Sequence, residues 1–485
     1  MSSSIFKKTF LFLILAELLS IFGYLLPNFN KSAFFAIVLL TLILSFIKLE
    51  YGIFIILAEL FIGSKGYLFF FDFNGSIISI RIALWLVVMS VWLSKIIINL
   101  IKTKKIEIEF LKSSHLKYFS ILFLFIIWGI INGFLNNNEF SNIFFDFNGW
   151  LYFALIFPVY EIIKNKENIN KIFYIFTACI AWLSLKTLFL LFVFSHNMTS
   201  MITELYRWVR ITGVGEITQM QGGFYRIFFQ SHIFVLIGFF IFLLLITRPW
   251  DKKNYNYLLL ITIFLSTTII SFSRSNWVGL VVGLILYFIF VLWQYGFKDL
   301  LKKAGILFCV SIASVMLILA IVKFPYPSPT GGFSTTELLT DRASQITGEA
   351  GVSSRWALLP ELWSEIKKAP ILGQGFGATV TYKSSDPRVL EKSPDGEYTT
   401  YAFEWGWMDV WLKLGFFGLL SYLALIFFVI LNGLKQRRHE IIGLVIGLIV
   451  ISVVSFFSPY MNHPLGIGYL ILVSSILSRK HGFRF

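Results

Sequence analysis

Long apolar runs recur from one end of this chain to the other, and they limit its fold more than any other feature. Many approach the roughly 20 residues that a helix needs to cross the hydrocarbon core of a bilayer. Only 14% of the 485 residues are charged, against about a quarter in soluble domains. The sequence therefore predicts an all-α polytopic membrane protein with about 14 transmembrane helices. The apolar segments lie near residues 9–26, 31–47, 52–63, 76–101, 118–134, 149–163, 172–195, 227–247, 257–272, 276–296, 304–322, 403–432, 441–458 and 465–478.

The basic residues alternate from one connection to the next. The net charge of +15 is concentrated in the two tails and in every second connection, for example at Lys102, Lys104 and Lys105. The short connections between them hold just Lys31 and Lys65. This positive-inside pattern predicts cytoplasmic N- and C-termini in a multi-pass membrane protein. The basicity thus indicates topology, and nucleic acid is not an expected partner.

The spacing of the segments divides the chain into four parts. We expect N-terminal transmembrane helices at 1–200, central transmembrane helices at 201–322, a long extracytoplasmic loop at 323–400 and C-terminal transmembrane helices at 401–485. The loop contains apolar residues at a helical spacing, which predicts an amphipathic helix lying against membrane lipids with its tryptophans at headgroup level. That face comprises Trp356, Leu359, Leu362, Trp363 and Ile366, with Ser353 or Ser354 as N-cap and Pro370 as stop signal.

A glycine-rich stretch, "ILGQGFG", follows the predicted loop helix. Its glycines at Gly373, Gly375 and Gly377 superficially resemble a nucleotide-binding fingerprint. Because no strand precedes them, a flexible turn where the backbone approaches another element closely is favoured.

Several arginines fall at one predicted membrane level, near the outer face. Arg226 starts a predicted span, Arg274 lies in a short turn between two spans, and Arg355 opens the loop helix. Guanidinium groups gathered in this way suit a planar, multidentate anion such as a diphosphate. Arg81 and Arg210 fit interfacial arginines that snorkel to the headgroups, and Arg210 is also a candidate for the anion site.

Acidic residues are found at the outer end of the twelfth segment. Asp409 and Lys413 are four apart, which predicts an i,i+4 ion pair. Glu404 has no such partner and is either a general base or an interfacial carboxylate. The sequence shows neither zinc spacing nor an outward acidic cluster, so we expect no metal and no cofactor. Glu17, Glu59 and Lys186 lie within predicted spans, and the sequence leaves their partners open.

Three motifs carry a likeness to a known family. They are "GGFYRIFFQS", "FSRSNWVGL" and the long "RWALLPELWSEIKKAPILGQGFG", which is followed by "LKLGFFGLL". With these motifs the chain, over roughly residues 200–435, resembles the O-antigen ligase and O-antigen polymerase superfamily of bacterial membrane glycosyltransferases.

The resemblance implies a GT-C-like helical bundle in the bacterial cytoplasmic (inner) membrane, with the reaction at the outer face of that membrane. Members take a glycan from an undecaprenyl-diphosphate carrier and join it to an acceptor hydroxyl, on lipid A–core for a ligase or on another glycan for a polymerase. By resemblance, Arg226, Arg274 and Arg355 match the arginines that hold the diphosphate. Glu404 is the first choice and Asp409 the second for the base, with Tyr401 as a possible further site residue.

One departure from the family stands out. Many members carry a histidine about eleven residues before the glycine matched by Gly415, and this chain has Glu404 there. A carboxylate accepts a proton as imidazole does, so the mechanism survives, and polymerase is slightly preferred over ligase. A lipid-linked oligosaccharide flippase or other secondary transporter is the alternative, since it accounts for the spans equally well.

Overall fold

Helices dominate the computed structural model, which describes residues 3–196, 198–246, 252–330 and 350–478. Each of the fourteen predicted apolar segments overlaps a helix, because a helix satisfies its own backbone hydrogen bonds in an apolar surrounding. The α-helices are α1 (Ser3–Leu25), α2 (Pro27–Ile47), α3 (Leu49–Ile62), α4 (Ile80–Thr103), α5 (Leu116–Leu135), α6 (Phe140–Asn148), α7 (Ile156–Ile162), α8 (Lys166–Ser195), α9 (Thr199–Ile211), α10 (His232–Leu245), α11 (Lys252–Ile270), α12 (Arg274–Tyr295), α13 (Phe297–Val322), α14 (Ala350–Lys368), α15 (Pro387–Leu390), α16 (Gly406–Gln436), α17 (His439–Val454) and α18 (Pro464–Leu477).

Three antiparallel hairpins accompany the helices. They pair β1 (Phe70–Phe73) with β2 (Ser76–Ser79), β3 (Gly215–Gln219) with β4 (Tyr225–Phe229), and β5 (Val380–Lys383) with β6 (Glu397–Thr400). Short 3₁₀ helices cover Glu109–Lys112, Gly149–Leu155, Gln221–Gly223 and Tyr460–Asn462. Hairpins were not predicted, and two of them occupy the starts of segments that the hydropathy assigns to spans.

Eight of the described helices are long and apolar enough to cross a membrane: α2, α4, α5, the Phe140–Ile162 stretch, α8, α12, α13 and α16. Shorter apolar helices are α10, α17 and α18. A polytopic membrane protein is therefore confirmed, while the number of 14 crossings stays a prediction. The C-terminal tail from residue 479 and residues 331–349 of the predicted loop lie outside the described residues.

The centre of the bundle is formed by α10 and α17. Every residue from His232 to Leu245 is buried, and Gly443 and Gly447 lie directly against Ile241 and Ile237 of α10. Small residues of this kind let two helix backbones approach closely. In contrast, α1, α2 and α5 expose many large apolar side chains, as expected of surfaces that contact lipid.

Two buried ion pairs lie inside the predicted spans. Arg81 donates to both carboxylate oxygens of Glu59 at 2.8 and 2.9 Å and to the Ser64 carbonyl at 2.6 Å. Lys186 lies 2.6 Å from Glu17. The expectation that Arg81 snorkels to the headgroups is wrong, because its side chain is buried. A buried charge is stable only when it is fully paired, and Glu59 provides that partner.

The loop helix α14 exists, but its buried face differs from the predicted one. Leu358, Leu362 and Ile366 pack into a small separate core with residues of β5 and α16. Trp356 and Trp363 are exposed. The buried residues are spaced i, i+4, i+8, because this side of the helix packs against β5 and α16. The tryptophans lie outside this row of buried residues.

The ends of α14 are also partly corrected. The helix begins at Ala350, so Ser353 and Ser354 lie inside it and are not its N-cap. The Ser354 hydroxyl instead contacts Ser384 at 3.0 Å. The helix ends at Lys368, which confirms that it stops before Pro370.

Candidate active site

Arg226 lies on a hairpin that is fixed to a neighbouring turn. The residue belongs to strand β4, not to the start of a span as predicted, because the helix begins only at His232. Its Nε donates to the Ser271 carbonyl at 3.0 Å, and 18% of its side chain is exposed. The hairpin thereby presents Arg226 at the turn that joins α11 and α12.

Arg274 is the first residue of α12, directly after this turn. Ser273 caps the helix by accepting a hydrogen bond from the Asn276 backbone nitrogen at 3.4 Å. The N-terminus of a helix carries partial positive charge and unpaired N–H groups, which favour an anion. The guanidinium of Arg274 and the helix end therefore add to the same positive region.

Arg355, in the second turn of α14, completes the group. Its side chain is in direct contact with Glu404, and its carbonyl accepts a hydrogen bond from the Trp405 indole at 3.0 Å. Burial lowers the pKa of Arg355, and the positive charges of Arg226 and Arg274 lower it further. Burial likewise lowers the pKa of Arg226, with a further contribution from Arg274. The three arginines thus lie within electrostatic reach of one another, and we call them the arginine cluster.

Glu216 joins this cluster and was missed by the sequence analysis. Its two carboxylate oxygens lie 3.7 Å from Arg226 and 3.7 Å from Arg210. In the hairpin, Glu216 pairs with Phe228 and Arg226 pairs with Thr218, so Glu216 and Arg226 are diagonal neighbours on one face. The sequence feature that indicates this hairpin is the glycine pair Gly222–Gly223, which lies between two short segments of alternating polar and apolar residues.

A groove opens beside the cluster. Helix α9 and the β3–β4 hairpin form its walls, and its volume is about 640 Å³. Apolar side chains line most of it, and Arg207 and Arg210 bring positive charge to it. The lining residues are Phe194, Ile202, Thr203, Tyr206, Arg207, Arg210, Ile217, Thr218, Gln219 and Tyr225.

Asp409 lies in a different, largely buried network. Lys413 contacts Asp409, as its i,i+4 spacing predicts, and also lies 2.6 Å from Asp146. The other oxygen of Asp409 accepts a hydrogen bond from Asn462 at 2.5 Å. We call these four residues the lysine network. Both oxygens of Asp409 are engaged in it, which distinguishes this carboxylate from the exposed Glu404.

The glycine turn connects the lysine network to the loop. Gly377 donates its N–H to Asp146 at 2.9 Å, and Gln374 and Gly375 donate theirs to carbonyls of α16 at 2.7 and 3.1 Å. Gly373, Gly375 and Gly377 all have positive φ angles between 73° and 81°, which favour glycine. The prediction of a turn that approaches another element closely is confirmed.

Tyr401 lies within electrostatic reach of the lysine network. Its side chain is half-buried. Burial raises the pKa of its hydroxyl, and the negative charge of Asp146 raises it further. Arg210 is brought to the cluster through Glu216, so of the two additional candidates it is Arg210 that lies beside Arg226.

Comparison with known proteins bears on the segment that contains most of this geometry. Residues 257–423 match the family model described as O-antigen ligase. This match supports an assignment to the O-antigen ligase/polymerase superfamily. No curated protein gives a significant match to the chain.

The O-antigen ligase segment contains Arg274, Arg355, Glu404 and the glycine turn, whereas Arg226 and Glu216 precede it. A ligase- or polymerase-type function in a membrane is thereby supported. The match lies within the range in which the sequence motifs show the resemblance.

Replacing Gly375 with alanine is expected to disrupt the docking of the glycine turn. An added Cβ would lie 2.0 Å from the Gly133 backbone nitrogen of α5, and left-handed backbone alone costs a non-glycine residue roughly 1–2 kcal/mol. We expect Gly375→Ala to lower the thermal midpoint and the monodisperse yield of the detergent-solubilised protein.

Gly305→Ala is the matched control, because Gly305 lies in α13 with open space around its Cβ position. Alanine is favoured over glycine in a helix by about 1 kcal/mol, so this variant should be at least as stable as the wild type. Equal midpoints for both variants would show that the glycine turn is not tightly docked.

Proposed function

We propose that this protein transfers a glycan from an undecaprenyl-diphosphate carrier to an acceptor sugar hydroxyl at the outer face of the cytoplasmic membrane. The observation that carries the proposal is the arginine cluster, in which guanidinium groups from a hairpin, a helix N-terminus and a loop helix lie within electrostatic reach of one another. The O-antigen ligase match supports the reaction class. The donor, the membrane side and a GT-C-like bundle are part of the proposal.

The arginines act on the leaving group. During transfer, the bond between the sugar anomeric carbon and the diphosphate oxygen breaks, and the diphosphate leaves with the electron pair. Groups that already point at the developing charge lower the barrier without reorganising, and removing one such donor typically costs about 3–4 kcal/mol. Arg226, Arg274 and the N-terminal end of α12 supply this charge stabilisation, for which we propose that no divalent cation is needed.

Glu404 is the proposed base. The acceptor oxygen forms the new bond to the anomeric carbon and gives its proton to a carboxylate. Glu404 is exposed, with about half of its side chain accessible, and it contacts Arg355, which stabilises the charged carboxylate that accepts a proton. Asp409 suits the role less well, because Lys413 and Asn462 engage both of its oxygens.

The acceptor is proposed to be another glycan, which makes the protein a polymerase. The many apolar segments and the carboxylate at the family's histidine position favour this over transfer to lipid A–core. A flippase places polar residues through the depth of its bundle. Here Arg81 with Glu59 and Lys186 with Glu17 form buried ion pairs.

We expect Arg274→Ala to insert normally and to lose most polymer formation. Arg274 begins α12, where alanine is tolerated, but the substitution removes one charge-stabilising donor. Loss of about 3 kcal/mol of stabilisation lowers the rate roughly 100-fold. Polymer length distributions on gels, with membrane levels of the protein, measure this.

Lys302→Ala is the control for loss of positive charge, since Lys302 is exposed on α13 and pairs only loosely with Asp299 at 3.4 Å. It should form polymer at the wild-type level. If Arg274→Ala also does so, the arginine cluster does not act in transfer.

Glu404→Gln tests the base. The amide keeps an acceptor oxygen for Arg355 but takes up no proton at neutral pH, so we expect transfer to fall at least 100-fold while donor binding is kept. Glu404→Asp should restore part of the activity with a changed pH profile. Unchanged transfer by Glu404→Gln would place the base elsewhere.

The lipid-linked products in a strain without the gene separate the candidate functions. A polymerase defect leaves single repeats on the carrier at the outer face, because units are delivered but not joined. Full-length chains stranded on the carrier would indicate a ligase instead. Units retained at the cytoplasmic face would indicate the flippase and contradict the proposal.

A further inference from the structure

Glu216 places a second negative charge beside the arginine cluster, in addition to Glu404, which contacts Arg355. Its carboxylate lies between Arg210 and Arg226. One carboxylate oxygen is 3.7 Å from a guanidinium nitrogen of Arg210, and the other is 3.7 Å from a guanidinium nitrogen of Arg226. The charge of Glu216 also acts on Arg355, where it opposes the effect of the other two arginines. One carboxylate therefore faces several of the guanidinium groups.

The two contacts of Glu216 are loose. Both distances exceed the 3.2 Å limit of a normal N–H···O hydrogen bond, and 49% of the Glu216 side chain is exposed. Exposed ion pairs of this kind contribute only about 0.2–1 kcal/mol each and weaken with salt. Such a carboxylate can be displaced by a stronger anion without unfolding anything around it.

The backbone beneath Glu216 is held firmly. It is paired across the hairpin with Phe228, while Arg226 is paired with Thr218 and anchored to the Ser271 carbonyl. When an anion displaces the carboxylate, only the side chain needs to turn. Glu216 therefore stays within reach of Arg226 and returns to it when the anion departs.

We propose that Glu216 is an internal counter-anion for Arg226 and Arg210 and determines how tightly the site holds a diphosphate. The inference rests on the proposed function, since it concerns the same arginines. In the empty site Glu216 neutralises part of the charge of Arg226 and Arg210. In the occupied site it competes with the diphosphate for Arg226, which weakens binding of the diphosphate-carrier product and speeds its release.

Product release limits the turnover of many enzymes, and affinity differences between related complexes lie mostly in the dissociation rate. Without the charge of Glu216, Arg226 would bind the released diphosphate carrier as strongly as it stabilises the diphosphate during bond cleavage. Glu216 speeds dissociation of the diphosphate carrier and also lowers the affinity for the donor.

Neutralising Glu216 tests this directly. Glu216→Gln keeps the size and the hydrogen-bonding oxygen but removes the charge. We expect the detergent-solubilised full-length protein to bind inorganic pyrophosphate about threefold to tenfold more tightly, by titration calorimetry at low salt. The gain should shrink at high salt, because the removed interaction is exposed and screened.

In turnover, the same variant should show a lower KM for the lipid-linked donor together with a lower kcat, because the product leaves more slowly. If Glu216 merely stabilised the hairpin, the variant would instead have a higher KM or a lower amount of folded protein. Added undecaprenyl diphosphate should inhibit Glu216→Gln more strongly than the wild type.

Glu204→Gln is the matched control. Glu204 also pairs with an arginine beside the groove, Arg207, at 3.9 Å, but it lies on α9 and makes its other contact with the Tyr24 hydroxyl. Its neutralisation should leave pyrophosphate affinity unchanged. An equal gain in both variants would show that net charge alone acts, and it would overturn the inference.

The outcomes separate this inference from the proposed function. If Arg226→Gln abolishes pyrophosphate binding and Glu216→Gln leaves it unchanged or weaker, the counter-anion inference fails and the diphosphate site stands. If the wild type binds no pyrophosphate and Arg226→Gln changes neither binding nor polymer formation, the proposed function fails as well. A large loss of kcat without tighter binding would make Glu216 part of the proton transfer and would also overturn the inference.

Discussion

The ion pairs of Lys413 with Asp146 and Asp409 are the interaction on which the rest of this end of the molecule depends. Only 1% of the lysine side chain is exposed, and a charge buried to that degree is stable only when it is paired and hydrogen-bonded. The same Asp146 accepts the N–H of Gly377, so the network holds the glycine turn as well as two helices. Through that turn it sets where the loop helix lies, and hence where Arg355 lies.

The two groups of charges are built in opposite ways. In the lysine network the contacts are short, the residues are buried, and every charge has a direct partner, as suits an element that must not move. Around Arg226 the ion pairs are longer and partly exposed, and positive charges face one another. Repulsion of that kind persists only because the hairpin, α12 and α14 are each fixed by other contacts. Positive charges on fixed supports are consistent with the proposed role of this site in binding an anion.

The sequence predicts the helices well, because hydropathy and length together determine which segments are stable in an apolar surrounding. It also predicts the glycine turn and the i,i+4 pair of Lys413, since both follow from local spacing. It does not predict Asp146 as the second partner, which is 267 positions away, nor the hairpin that carries Glu216. Those features depend on how distant elements meet. The buried face of α14 was misjudged for the same reason: tryptophans and leucines occur on both sides, and only the supporting surface selects one.

The break in α16 has a consequence for the order of assembly. At Gly415 the φ angle is +73°, and the carbonyls of Leu412 and Lys413 bond to the glycine turn, while Phe416 donates to the Pro370 carbonyl. The helix and the loop that precedes it therefore share one set of backbone hydrogen bonds. During synthesis the loop emerges before this helix exists, so it has no partner for these groups until the helix has been inserted. The site is completed from its C-terminal side, and a chain truncated before α16 would carry the arginines without the frame that brings Arg355 to them.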